Sequence, residues 1–184
     1  KDEFVIVDVP AMTFFAVDGH GDPNTSPDYV QALEALYSAS YAVKFTSKRE
    51  HGRDLVVPPL EGLWWAEDMT AFVSRDKAAW SWTMMIRQPD WMSDDELAAV
   101  AAATAAKKSL PALDLLRIVH LTEGPSAQIL QVGSYDDEGP PLRRLYEEFV
   151  PSHGLALRGK HHEIYLSDAR RVALSIRRAA EPTP

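Results

Sequence analysis

The stretch Gly159-Lys160-His161-His162-Glu163-Ile164-Tyr165-Leu166-Ser167-Asp168 echoes an earlier one, Pro59-Leu60-Glu61-Gly62-Leu63-Trp64-Trp65. Each reads as a strand in which a carboxylate is followed, two residues later, by a large apolar side chain. Side chains alternate across a strand, so Glu163 and Tyr165 share one face while Ile164 and Leu166 share the other. By the same count Glu61, Leu63 and Trp65 lie together, opposite Gly62 and Trp64. A face that pairs glutamates with aromatics suits neither water nor a core. It suits the wall of a pocket for a flat, electron-poor or cationic molecule.

Outward from these two strands the chain repeats itself. Met12 to Gly19 reads as a strand ending in a glycine turn. A helix from Asp28 to about Phe45 follows, with Ser26 as N-cap and Pro27 at its first position. A charged loop, Lys48 to Asp54, and the short run Leu55-Val56-Val57 lead into the Glu61 strand. Ala78 to Ile86 then reads as a strand with Trp80, Trp82, Met84 and Ile86 on one face. Ser93-Asp94-Asp95-Glu96 is a capping box opening an alanine-rich helix to about Lys108. Leu116 to Leu121 and Ala127 to Gly133 read as the next strands. Pro140-Pro141 starts a helix carrying Leu142, Leu145, Tyr146 and Phe149, which Gly154 ends. The Glu163 strand follows, and Ser167-Asp168 is read as the cap of a last short helix through Arg178.

Strand, glycine, helix and glutamate strand therefore occur twice, with Gly19 matching Gly133 and Glu61 matching Glu163. The expected fold is α+β: one domain over 1–184, built of duplicated strand-helix-strand repeats at about 4–77 and 78–178. The repeats are expected to be related by a pseudo-twofold axis, in an antiparallel sheet with helices on one face and a ligand groove between the halves. No low-complexity linker separates them, and only the proline-rich end, Glu181-Pro182-Thr183-Pro184, reads as loose.

Composition narrows the partners. The 27 acidic and 19 basic residues give a net charge of −8, which argues against nucleic acid and favours a neutral or cationic ligand. Cysteine is absent, so disulfides and thiolate metal sites are excluded. No apolar run approaches the roughly 20 residues of a membrane span, and no signal peptide opens the chain, so a cytoplasmic location without membrane partners is expected. No cofactor is expected, since there is no phosphate loop, nucleophile elbow or dinucleotide fingerprint. His161-His162-Glu163 invites a metal, but adjacent strand residues point in opposite directions, and none is expected there.

The duplicated units, the Pro58-to-Trp65 segment and the Lys160-to-Asp168 segment resemble the GyrI-like small-molecule-binding domains. The likeness covers roughly residues 4 to 178, and the 160–168 segment, running on into Ala169-Arg170-Arg171, is its more specific part. It implies an α+β fold with a drug-binding groove. Because the chain opens on strand-like Phe4-Val5-Ile6-Val7, the stand-alone form is expected rather than one fused to a DNA-binding region. The Leu60-Glu61-Gly62-Leu63-Trp64-Trp65 segment is similar to the subgroup of cyclopropanoid cyclopropyl hydrolases, which open the strained ring of DNA-alkylating natural products in an aromatic cage. The family's central glutamate maps onto Glu163.

The candidate site follows. Glu163, a carboxylate among aromatics whose pKa burial would raise, is the expected general base or the counter-charge of a bound cation. Tyr165, on the same face, is expected to orient a water or donate to a ligand carbonyl. Glu61, Leu63, Trp65, Trp82, Tyr37 and Tyr41 are candidate ligand-binding residues. Trp64 is expected to face the helix, and for Tyr37 and Tyr41, which could close the groove, packing in the core is the favoured reading. Five tryptophans, four of them between 64 and 82, suit an aromatic cage. Taken with the resemblance, three functions come into question. The first is hydrolysis of cyclopropyl-indole alkylators, the second is sequestration of planar aromatic or lipophilic cationic drugs, and the third is inhibition of a gyrase-directed toxin.

Overall fold

The computed structural model describes residues 3–68, 74, 76–132, 139–156, 158–166, 174–179 and 181–182. The fold is mixed α+β with antiparallel sheet. Its chain divides into two compact units, Met12–Leu60 with Trp64–Leu121, and Lys1–Ala11 with Glu61–Leu63 and Thr122–Pro184.

In the first of these units, β2 (Met12–His20) lies between β4 (Ser81–Arg87) and β5 (Arg117–Leu121), antiparallel to both. Phe14, Phe15, Ala16 and Val17 are all buried, so both faces of β2 are covered and its centre is continuously apolar rather than alternating. The helix α1 (Pro27–Thr46) packs on β2 and β4. Its contact face is Ala32, Ala35, Leu36, Ala39, Ser40 and Val43, mostly small residues that let the backbone approach the sheet. Tyr37 and Tyr41 are consequently turned out, 37% and 50% exposed, and so is Phe45. The core reading of these two tyrosines is thus corrected: bulky rings at those positions would hold the helix off the strands. The helix α2 (Asp94–Ala105) carries the expected capping box, with Ser93 Oγ accepting from the Glu96 amide and Glu96 accepting from the Ser93 amide.

Gly19 is not at a turn. It lies within β2, paired with Trp82, and the turn glycine is Gly21 at φ 97°. The Trp82 indole lies across Gly19 so closely that a Cβ there would be 2.1 Å from Cη2 of the ring. Trp82 is wholly buried and cannot retreat. Gly19→Ala is expected to destabilise the chain by about 3 kcal/mol, lowering Tm by roughly 10 °C in a thermal melt followed by circular dichroism. An unchanged Tm would mean that the indole has room to move.

In the other unit the strand order is β1 (Val5–Val9), β6 (Gly124–Val132), β9 (Leu174–Ala179), β8 (His161–Tyr165), with Glu61–Leu63 of β3 (Leu60–Trp65) beside β8. The helix α3 (Gly139–Arg143) continues through wider turns over Arg144–Phe149 into a last α-helical turn, Val150–Ser152, and Gly154, at φ 64°, ends it before the short strand β7 (Leu155–Ala156). Leu145 and Val150 pack on Ala127 of β6, with the rings of Phe4 and Phe149 5.0 Å apart at the edge of this core.

Residues 174–179 are a strand, not the end of a helix. β9 pairs antiparallel with β6 on one side and β8 on the other. The cap-like Ser167-Asp168, which lies outside the described residues along with Gly133, suggested a helix, but the alternation of Val172, Leu174 and Ile176 is strand periodicity. The order strand, helix, strand, strand therefore occurs twice: β2, α1, β3, β4, and again β6, α3, β8, β9. β4 pairs with β2 as β9 pairs with β6.

Three boundaries also move. The tryptophan strand begins at Ser81, because Lys77–Ala79 forms a tight helical turn before Trp80. The charged segment after α1 is a further helical turn, Ser47–His51, closed by left-handed Gly52. The alanine-rich helix ends at Ala105 rather than near Lys108.

Candidate functional site

Alternation along β8 sorts its side chains into two rows, His161, Glu163 and Tyr165 on one face and His162 and Ile164 on the other. In the first row Glu163 is buried, and the Tyr165 hydroxyl donates to its Oε2 at 2.7 Å. His161 Nε2 stands 3.3 Å from Glu163 Oε1, and His161 Nδ1 is 3.0 Å from the Tyr146 hydroxyl. One assignment of hydrogens satisfies this whole chain: Tyr146 donates to Nδ1, and Nε2–H donates to Glu163. The carboxylate is thereby approached at both oxygens, by the Tyr165 hydroxyl at Oε2 and by the His161 ring at Oε1. Such a group can accept a proton from a water set against it, or face a cation.

The second row holds a second carboxylate chain. His162 is fully buried, with Nε2 2.9 Å from Glu61 Oε2 and Nδ1 2.8 Å from Glu123 Oε1. Glu123 is brought there by the turn between β5 and β6, where Gly124 adopts φ 64°. A carboxylate only accepts, so the ring donates from both nitrogens and is an imidazolium. Burial works against that charge, but the hydrogen bonds to Glu123 and Glu61, with their negative charges, outweigh it and raise the His162 pKa to about 9. The expected convergence of Glu61 on the Glu163 row thus takes another form: Glu61 bonds an imidazole on the opposite face of β8.

This cluster sets a pH dependence of stability. The folded chain binds the His162 proton more tightly than the unfolded chain. The contribution is therefore complete below about pH 6.5, where both states are protonated, and is lost as pH rises through about 9. Urea titrations are expected to show roughly 3 kcal/mol less stability at pH 9.5 than at pH 6. His162→Gln is expected to remove most of that slope, and a wild-type stability that is flat over this range would contradict the assignment.

The remaining predicted residues have definite places. Leu63 is half-buried in the same unit as Glu61. In the other unit Trp65 is half-buried, Trp82 has no exposed surface, and Tyr37 and Tyr41 are exposed on α1. There Trp64, buried as expected, joins an aromatic cluster: its ring is 6.3 Å from Tyr29 and 5.8 Å from Trp80. Tyr29 in turn stands edge-on to Trp82 at 5.2 Å. Trp82 Nε1 is buried and without a hydrogen-bond partner. Among the described residues no group of three or more His, Cys, Asp or Glu is arranged to hold a metal ion. Nor is any helix among them long and apolar enough to cross a membrane.

Four polar residues of the two hydrogen-bonded networks, Glu123, Tyr146, His161 and His162, are not among those the sequence singles out as catalytic or ligand-binding. Read along the sequence, the adjacent histidines invite only a metal. The available signal was His162 itself, whose neighbour Ile164 marks an inward face where an imidazole needs polar partners.

Residues 2–175 match the family model described as a GyrI-like small molecule binding domain. An uncharacterized conserved protein from Listeria innocua is 33% identical, with a TM-score of 0.87 over 97% of this chain and 92% of its own. A hydrolase from Listeria innocua is 33% identical, with a TM-score of 0.85 over 97% of this chain and 91% of its own. The EcmrR C-terminal domain, at 9% identity, shares the fold with a TM-score of 0.58 over 98% of each chain. No curated protein matches the sequence. With the family model spanning nearly its whole length and two close structural relatives at a third identity, this chain belongs to the GyrI-like small-molecule-binding domain family.

Proposed function

We propose that this small-molecule-binding domain is a hydrolase that opens the cyclopropane ring of planar cyclopropyl-indole alkylators and so detoxifies them. The observation that carries the reading is the buried Glu163 carboxylate, fixed by the Tyr165 hydroxyl at 2.7 Å and by His161. The likeness to a hydrolase at 33% identity supports it. In the proposed reaction Glu163 takes a proton from water while the water oxygen bonds to the least hindered ring carbon. The cyclopropane C–C bond breaks, and its electron pair passes into the dienone, which aromatises to a phenolate. The proton returns from Glu163 to that phenolate, so the net change is addition of one water. Strain release and aromatisation drive the step, leaving the protein to position a base and a ligand.

Chromatography with mass detection of a cyclopropane-bearing indole alkylator, incubated with sub-stoichiometric protein, tests this. Many equivalents of a ring-opened, water-added product are expected. Unchanged compound that quenches tryptophan fluorescence would instead make the domain a binder of planar drugs. Neither product nor quenching would remove this ligand class altogether.

A further inference from the structure

We propose that the outer face of α1 is a self-association surface, on which a second copy of this chain packs its own α1 antiparallel about a twofold axis at Tyr41. The inference is independent of the chemistry proposed at Glu163.

Three observations carry it. The first is a line of apolar side chains. Among the described residues, four of the ten large apolar side chains left exposed lie on α1: Val30 at 55%, Tyr37 at 37%, Tyr41 at 50% and Phe45 at 59%. Apolar residues scattered singly over a surface are ordinary. These four, at about 100° of turn per residue, all fall within about 40° of one line along the helix, with Tyr41 on it. That line stands opposite the alanine face by which α1 packs on its sheet, so the chain's own core cannot cover it.

The second observation is the charge at each end of the aromatic run. Glu34 lies one turn before Tyr37 and is exposed. Lys48 lies one turn after Phe45 with its side chain 63% exposed, and it bonds Asp54 at 3.0 Å. An ammonium has three donors, so this contact leaves Lys48 able to bond a further carboxylate. The third observation is the spacing. Tyr37 and Phe45 stand four residues either side of Tyr41, and Glu34 and Lys48 stand seven either side. Turning a second copy end over end about Tyr41 therefore sets Tyr41 against Tyr41, Tyr37 against Phe45, and Glu34 against Lys48 at both ends. A parallel pairing would instead set like charges together. The result is a self-complementary patch, apolar at its centre with opposite charges at its rim, as a twofold interface requires. Tyrosine suits the centre, because its ring buries much area while its hydroxyl stays in reach of water.

Sedimentation velocity over a concentration series tests this. The wild-type chain is expected to pass from monomer to dimer with a Kd in the micromolar range, since one helix from each copy makes a small interface. Tyr41→Glu brings two carboxylates together at the axis and is expected to weaken the dimer by roughly a hundredfold or more. Glu34→Lys and Lys48→Glu each make both end pairs like-charged, and each is expected to weaken it by roughly tenfold. Mixed together, these two variants are expected to associate with one another at about the wild-type strength, because both ends then join opposite charges again. All three positions are exposed, so circular dichroism is expected to show the wild-type fold in each variant. A wild-type chain that stays monomeric, leaving the stripe to a different partner, would overturn the proposal. So would a dimer that Tyr41→Glu leaves intact, or charge variants that pair no better with each other than with themselves.

Discussion

Glu163→Gln is expected to lower turnover of a cyclopropyl-indole alkylator by roughly a thousandfold, with affinity for the intact compound changed by no more than about threefold. The amide retains the size of the carboxylate and an oxygen to accept from Tyr165, so the local packing is preserved. What it loses is the capacity to take a proton from water. Single-turnover kinetics beside a tryptophan-quenching titration separate the two effects. Undiminished turnover would remove Glu163 from the chemistry. A large loss of affinity for cationic probes, with little loss for neutral ones, would instead assign Glu163 the part of a counter-charge.

His162→Leu is expected to be among the most damaging single substitutions, costing roughly 3–5 kcal/mol and lowering Tm by roughly 10 °C or more. The side chain fits the volume, but Glu61 and Glu123 are then left facing each other's charge without the imidazolium between them. Adding Glu123→Leu is expected to recover a good part of the loss, because a buried carboxylate is removed together with its missing partner. A double-mutant cycle followed by urea denaturation measures this coupling. If the two losses simply add, the Glu123–His162–Glu61 chain is not a unit.

Both effects concern residues that the primary structure makes visible to very different degrees. Glu163 and Tyr165 are legible because a strand has a period of two, and an i, i+2 pair on one strand needs no distant partner to be recognised. The capping box at Ser93 and Glu96 and the proline at the start of α1 are legible for the same reason: all their atoms lie within one turn of chain. β9 was within reach as well. The first half of the chain runs strand, helix, strand, strand, so its copy calls for a fourth element that is a strand, and the Val172-Leu174-Ile176 alternation agrees.

Side-chain direction on α1 was less accessible. The apolar spacing of Tyr29, Leu33, Leu36 and Tyr37 is helical, yet it permits two neighbouring faces. The sheet chose the one lined with alanine, because close approach of helix to strand favours small side chains over large ones.

What local chemistry dictates in this chain is its alternations, caps and repeated order of elements, along with the family to which these patterns point. They are decided by neighbours a few residues apart, whose relative positions the backbone already limits. The company of His162 is another matter. Glu61 and Glu123 lie 101 and 39 residues away from it, and no periodicity links them. The same holds for Trp82 lying over Gly19, 63 positions earlier, where the glycine reads as a turn until the ring above it is seen. Pairings of this kind arise when strands from separate parts of the chain are laid side by side, since only then do burial and charge select one partner from many.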